Sequence, residues 1–279
     1  LQNMPDKSIL ITGCSTGIGL CVAEGLKDRG YRVFATARQQ QDVERLQSDG
    51  LESLQLDLAD SASIQAAVDE ILSRTGGTLD ALFNNGAYGQ PGAVEDLSRE
   101  VLRTQFETNL FGWHELTNRV LPVMRRQGHG RIIQHSSVLG FVALRYRGAY
   151  NASKYALEGL SATLRLELAN TQIDVSLIDT GPVTSRFRHN AYKAYKANID
   201  PTNSVHRDRY LAMEKRLQTE GPVVPFTLPP EAVLKKVIHA LESRRPRARY
   251  YVTFPTYLFG TLKRLLSTRA LDRLLNKVG

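Results

Sequence analysis

Two residues four apart, Tyr150 and Lys154, carry the most suggestive chemistry in this chain. At that spacing on a helix they share one face. A free phenol titrates near pH 10, which makes it a sluggish acid or base at neutrality. A neighbouring ammonium would stabilise the phenolate and lower that pKa, so Tyr150 could exchange a proton with a substrate oxygen. The same spacing also describes an ordinary surface pair. Upstream, Ser136 and Ser137 follow the strand-like run Arg131–Ile132–Ile133. Open α/β sheets hold ligands at the carboxyl ends of their strands, where such hydroxyls would stand.

A second constellation is the glycine run Gly13-Cys14-Ser15-Thr16-Gly17-Ile18-Gly19, between a strand-like and a helix-like segment. Glycines allow a sharp turn and close approach to a pyrophosphate, which the free N–H groups of the helix start would bind. The spacing, G-x-x-x-G-x-G, matches the common dinucleotide fingerprint only loosely. Gly13-Cys14-Ser15-Thr16-Gly17 also fits a hydrolase nucleophile elbow. It follows the first strand, however, and no His–Gly–Gly oxyanion segment accompanies it. Where an NAD site wants an acid after the second strand, this chain has Ala37 and Arg38. A guanidinium can hold a 2′-phosphate that a carboxylate would repel, so NADP(H) is expected over NAD(H).

The elements that must position these groups alternate strand and helix. Strands are expected over residues 7–12, 31–37, 54–58, 80–84, 131–136, 173–178 and 250–253. Helices are expected over 17–29, 61–74, 98–126 with a break near 107–112, 149–169 and 230–243. That alternation implies a seven-stranded, doubly wound parallel sheet in one α/β domain covering residues 1–255. Residues 184–228 read as an irregular insertion, a lid or binding loop. Its Arg186, Arg188, Lys193 and Lys196 could greet an acidic group. Val138, Leu139, Phe141, Val142 and Leu144 suggest an apolar pocket wall.

The chain has 279 residues, 42% apolar and 23% charged, ordinary globular usage that speaks against disorder or a disulfide scaffold. The formal net charge of +8 lies entirely in residues 244–279, where nine Lys/Arg face one acid, Asp272. The basic balance therefore describes a tail, and no nucleic-acid partner is expected. Within residues 256–279, Leu258, Leu262 and Leu265 share one helical face, and Leu271, Leu274, Leu275 and Val278 share another. Two short amphipathic helices follow, docked on the domain or a partner subunit, or seated on anionic lipid. No run reads as a secretory signal or a membrane span, and Cys14 and Cys21 suit a reducing compartment. A cytoplasmic protein is expected, with membrane-surface association open. The six histidines show no metal-ligand spacing, so no metal is expected.

In order and spacing, Thr12-Gly13-x-x-x-Gly17-Ile18-Gly19, Asp57, Asn84-Asn85-Gly86-Ala87, Asn109, Ser137, Tyr150-x-x-x-Lys154 and Gly181-Pro182-Val183 resemble the short-chain dehydrogenase/reductase family over about residues 6–255. The branch most similar contains 17β-hydroxysteroid and retinol dehydrogenases and bacterial aldehyde reductases. The resemblance implies that Tyr150 is the acid/base and that Lys154 holds the nicotinamide ribose and lowers the tyrosine pKa. It implies that Ser137 orients the substrate oxygen and that Asn109 maintains a water path to the lysine. It places Asp57 and Leu58 by the adenine, Asn84 as a brace beside the cofactor, Val183 at the carboxamide through its backbone, and the Ser185 hydroxyl near the pyrophosphate that Ser15 and Thr16 also face. The chain departs from the pattern in exchanging Gly86 and Ala87 and in carrying Thr180 for the usual proline. The function implied is an NADP(H)-dependent oxidoreductase interconverting a carbonyl and an alcohol on a small, largely apolar substrate, as a homodimer or homotetramer. The alternative is an NADP(H)-binding, redox-responsive regulator with little turnover.

Overall fold

The computed structural model describes residues 7–219 and 221–278. Among these, seven parallel strands form one sheet in the order β3-β2-β1-β4-β5-β6-β7. The strands are β1 (Ser8–Ile11), β2 (Arg32–Ala37), β3 (Glu52–Gln55), β4 (Ala81–Asn84), β5 (Gly130–Ser137), β6 (Ile173–Thr180) and β7 (Arg249–Tyr251). The helices between them are α1 (Gly17–Lys27), α2 (Gln40–Ser48), α3 (Ser61–Thr75), α4 (Arg99–Phe106), α5 (Gly112–Gln127), α6 (Gly148–Glu167), α7 (Phe187–Asn198), α8 (Arg207–Gln218) and α9 (Glu231–Glu242). After β7 come α10 (Phe254–Leu265) and α11 (Thr268–Leu275).

Every residue of β1 and β4 is buried because helices cover both faces of the sheet. Successive side chains feed opposite layers. Ile9 and Ile11 join α1 and α9 on one face, while Leu10 joins Trp113, Leu116 and Val120 of α5 and the stripe of α3 on the other. Capping fixes where helices begin. Asp60 accepts from the Ala62 N–H at the start of α3, and Ser98 accepts from the Val101 N–H at the start of α4. The expected break near 107–112 is a single wide π-helical turn, Glu107–Phe111, between α4 and α5. Such turns recur at functional sites.

Four expectations change. β3 ends at Gln55 rather than running to Leu58, so Asp57 and Leu58 lie in the loop beyond the strand's carboxyl end. The insertion at 184–228 is not irregular. It folds into α7 and α8, whose buried Tyr195 and Tyr210 pack with Ala93 and Ile199, the Tyr210 hydroxyl donating to Asp96. The extension is two helices, as expected, but of the Leu258/Leu262/Leu265 face of α10 only Leu262 packs inward. Thr256, Phe259 and Gly260 are buried, and Leu258 and Leu265 face outward. The run from Val138 to Leu144 is the seat of these helices: Phe141 and Val142 pack with Phe259 and Leu275, rather than forming an open pocket wall.

Candidate active site

The sheet order reverses between β1 and β4, and open α/β sheets form their ligand crevice at such a switch point. The loop after β1 lies there. Gly13 has φ +71°, and a Cβ on it would stand 2.5 Å from the Gly86 Cα. Gly86 in turn has Leu58 and Gly13 against it. The Gly86–Ala87 exchange therefore keeps glycine where two backbones touch. Gly17 (φ +62°) opens α1 beneath Ser185, and Thr16, the N-cap, makes no side-chain capping bond. The N–H groups of Gly17, Ile18 and Gly19 are thus at a helix start with no side chain closing it, a cradle fit for pyrophosphate. Cys14 is buried with its thiol donating to the Ile11 carbonyl, and burial pushes it up to about 12, so it fills space.

At one end of the crevice, Arg38 directly follows β2. With Gln39, Gln55, Asp57, Asp60, Ser63 and Ala66 it lines a cavity of about 470 Å³. Arg38 makes no ion pair among the described residues. Asp57 accepts from the Ala59 N–H at 3.0 Å. A cavity holding an uncommitted guanidinium fits a phosphorylated ribose with its adenine.

At the other end, Ser137 is the last residue of β5 and Tyr150 lies in the first turn of α6. Burial pushes the Tyr150 phenol well above its ordinary value, and the nearby Ser137 hydroxyl, which donates to the Thr180 carbonyl at 3.3 Å, draws it partly back. The expected lowering by Lys154 is not the governing effect. The Lys154 Nζ stands 5.8 Å from the phenol ring centroid and donates to the His135 carbonyl at 2.7 Å. Lys154 is itself buried, and desolvation pushes it down to about 7 against the pull of Glu158 and Asp179. Asn109, inside the π turn, accepts from the Tyr88 N–H and donates to the Tyr88 carbonyl and Ser153 hydroxyl.

The remaining candidates fall into two groups. Val183 and Ser185 come to the crevice. Pro182 and Thr184 bond Leu228 on one side, which leaves the N–H and carbonyl of Val183 directed to the other. Asn84 does not. Its side chain is buried between Thr117 and Gln134, bracing β4 against α5 and β5. Its neighbour Asn85 grips the glycine loop, donating to the carbonyls of Thr12 and Gly13.

Several contributors escaped the sequence. Trp113, the chain's single tryptophan, lies under the Lys154 ammonium at 4.1 Å and donates from Nε1 to the Gly86 carbonyl at 2.8 Å. One side chain thus joins the lysine to the glycine contact. Phe187 of α7 meets Tyr150 edge-on at 5.1 Å. His135, held neutral by burial that pushes it down to about 3, donates from Nδ1 to Asn85 and accepts at Nε2 from Thr180. Thr180 therefore has a partner that proline could not serve. Behind Lys154, Arg249 forks between Glu158 and Asp179, and Glu158 also accepts from Ser136 at 2.5 Å. Only Trp113, by its rarity, left a signal. The hydrolase alternative gains nothing, because His239 pairs with the Tyr250 hydroxyl rather than with Ser15.

A doubly wound sheet with a glycine cradle at its switch point and a Ser–Tyr–Lys group at its carboxyl edge defines a dinucleotide-dependent oxidoreductase architecture. The short chain dehydrogenase family profile matches residues 7–196, and the chain belongs to that family. The oxidoreductase YbbO of Escherichia coli (strain K12) is 43% identical over 96% of this chain and 94% of its own. Human 17-beta-hydroxysteroid dehydrogenase type 1 is 34% identical over 88% of this chain and 77% of its own. The crystal structure of a short-chain dehydrogenase from Streptomyces avermitilis superposes with TM-score 0.78 at 27% identity, covering 98% of both chains.

Proposed function

We propose that this chain is an NADP(H)-dependent oxidoreductase that interconverts an aldehyde or ketone and an alcohol on a largely apolar substrate, with Tyr150 as acid/base. The observation that carries this reading is the meeting of the Tyr150 and Ser137 hydroxyls at the crevice edge, one helical turn from a buried lysine. The backbone of Gly13–Gly19 would hold the pyrophosphate with Ser15, Thr16 and Ser185 beside it. Arg38 would hold the 2′-phosphate, Asp57 and Leu58 the adenine side, and the Val183 backbone the carboxamide. The bound nicotinamide supplies or accepts the hydride. Ser137 fixes the substrate oxygen, and Tyr150 delivers the proton to it or removes it. Lys154, with a pKa near neutrality, and Asn109 keep that proton exchangeable with the interior. The phenol's raised pKa suits it to donate rather than to rest ionised.

Phe187 over Tyr150 supports an apolar substrate. So does the engagement of two lid cations within the lid: Arg188 donates to the Gly221 carbonyl and Lys196 pairs with Glu214. The close Gly13–Gly86 packing, which keeps glycine where two backbones touch, favours turnover over a regulator. Outward-facing Phe111, Tyr155 and Leu166 around α5 and α6 favour a homodimer or homotetramer, and both cysteines are free, as a cytoplasmic enzyme's would be. Among the described residues no helix is long and apolar enough to cross a membrane.

The test is a fluorescence titration with NADPH and NADH, followed by turnover against a panel of apolar aldehydes and ketones. We expect tighter NADPH binding and consumption of at least one class of carbonyl. Preference for NADH would overturn the role of Arg38. NADPH binding with no turnover across the panel would return the chain to the binding-protein class.

A further inference from the structure

α10 has an outward stripe for which the fold has no use. Phe254, Leu258, Thr261 and Leu265 recur at i, i+4, i+7 and i+11, one line along a helix. Phe254 is 54% exposed, Leu258 39% and Leu265 74%, with Tyr257, 48% exposed, on the flank. Phe226, 57% exposed, packs against Phe254 with tilted rings 4.9 Å apart and extends the stripe beyond the helix. The opposite side of α10, through Thr256, Phe259 and Gly260, is the docked side, so the domain does not need the outward leucines for packing. A contiguous apolar strip of this kind marks a contact surface rather than scattered exposure.

Beside the strip runs a basic groove of about 260 Å³, lined by Lys236 of α9, Arg247, Arg249, Tyr250, Tyr251, and Tyr257 and Arg264 of α10. Arg249 is already committed to Glu158 and Asp179. Lys236, Arg247 and Arg264 make no ion pair among the described residues. Tyr257 and Arg264 belong to groove and helix alike, so the apolar strip and the cations form one surface. α10 itself carries no acid. The occupant must therefore offer apolar matter and negative charge together. A second copy offers the first but not the second, since a twofold contact would set two tails of nine cations and one acid against each other.

We propose that α10 seats the protein on an anionic phospholipid surface, its Phe254–Leu258–Leu265 strip entering the headgroup boundary while Lys236, Arg247 and Arg264 hold lipid phosphates. Docked helices with an apolar outer line and flanking cations bind in this way, with affinity set by apolar area and by attraction to anionic lipid. The strip starts at the carboxyl end of β7, the edge of the sheet that carries the crevice. Arg269, Arg273 and Lys277 on and after α11 are also exposed and add to the field.

Vesicle flotation of the full chain tests this without reference to turnover. The probes are vesicles of phosphatidylcholine alone and vesicles with about 30 mol% phosphatidylglycerol. We expect the protein to float with the second and not the first, and to be released by salt. Leu258→Glu/Leu265→Glu should abolish flotation. Lys236→Gln/Arg247→Gln/Arg264→Gln should weaken it by roughly fivefold per charge removed. Circular dichroism and NADPH binding should stay unchanged in both variants. Inorganic phosphate should not compete at millimolar levels. Binding of inorganic phosphate measured by calorimetry, with no flotation, would make the groove a site for a free phosphate and overturn the proposal. So would flotation unaffected by the leucine variant. A doubling of mass in light scattering that the leucine variant halves, without flotation, would assign the strip to a second copy instead.

Discussion

The two ends of the crevice treat charge in opposite ways. At the adenine end of the proposed site, exposed Arg38 and half-buried Asp57 line an open cavity, and neither makes an ion pair among the described residues. At the catalytic end, Lys154 is enclosed by Trp113, the His135 carbonyl, and the Glu158–Arg249–Asp179 cluster. In the proposed function, the charge at the open end selects among ligands. A charge in the closed end is tuned by desolvation, which is why the lysine falls to about 7 while both of its acidic neighbours pull the other way. The selection and proton handling proposed for this chain thus fall on separate stretches of one sheet edge, joined by the glycine loop.

The largest effect should come from the closed end. Lys154→Ala should lower kcat by roughly 10²–10⁴-fold, the range for loss of positioned proton chemistry. Stopped-flow measurement at saturating NADPH checks it, and a loss confined to KM would move Lys154 out of the proton path. The same lysine predicts two pH trends of opposite sign. Carbonyl reduction should fall as pH rises through about 7, where Lys154 gives up its proton. Stability should rise from there towards the ordinary lysine range near 10.4, because only the unfolded chain then binds that proton. Urea unfolding of wild type and Lys154→Met across this window separates the lysine's share from other groups.

The open end should respond less. Arg38→Asp should reverse the preference for NADPH over NADH by roughly a hundredfold in Kd while leaving kcat with the better cofactor nearly unchanged. A parallel fall in kcat would mean that the two ends are not separable. Between them, Gly86→Ala would push a Cβ to 3.1 Å from Leu58 and 3.2 Å from the Gly13 nitrogen, costing about 1–3 kcal/mol by overpacking. Thermal melts report that cost. The smallest change is Trp113→Phe. It removes the bond to Gly86, worth about 1 kcal/mol, and weakens the ring's hold on the ammonium. The pH limb should move downward by less than about one unit.

The parts of this design that were legible in the sequence are those encoded locally. The glycine loop, the Tyr150–Lys154 pair and the strand–helix alternation each lie within a few residues, and the structure puts them where their spacing implied. The break near residue 107 was visible as well, and it holds Asn109. What escaped depends on distant partners. α2 buries only Val43 and Leu46, too little periodicity to stand out from its polar neighbours. α7 and α8 hide a core of tyrosines among charges. In α10, Thr256, Phe259 and Gly260 dock while Leu258 and Leu265 face out, which the leucine spacing does not suggest, because Gly260 lies against the Tyr251 ring, where a Cβ would stand 2.7 Å from the hydroxyl. The pKa of Tyr150 was misjudged for the same reason. Spacing shows that a lysine is near, but not that a backbone carbonyl 19 residues earlier in sequence holds it.

The most direct measurement is turnover by Tyr150→Phe beside its NADPH affinity. Phenylalanine keeps the ring against Phe187 and removes only the hydroxyl that meets Ser137. Carbonyl reduction should disappear, with the NADPH Kd within about twofold of wild type. If the variant retained most of its activity, the proton would travel by another group, and the assignment of Tyr150 would be wrong.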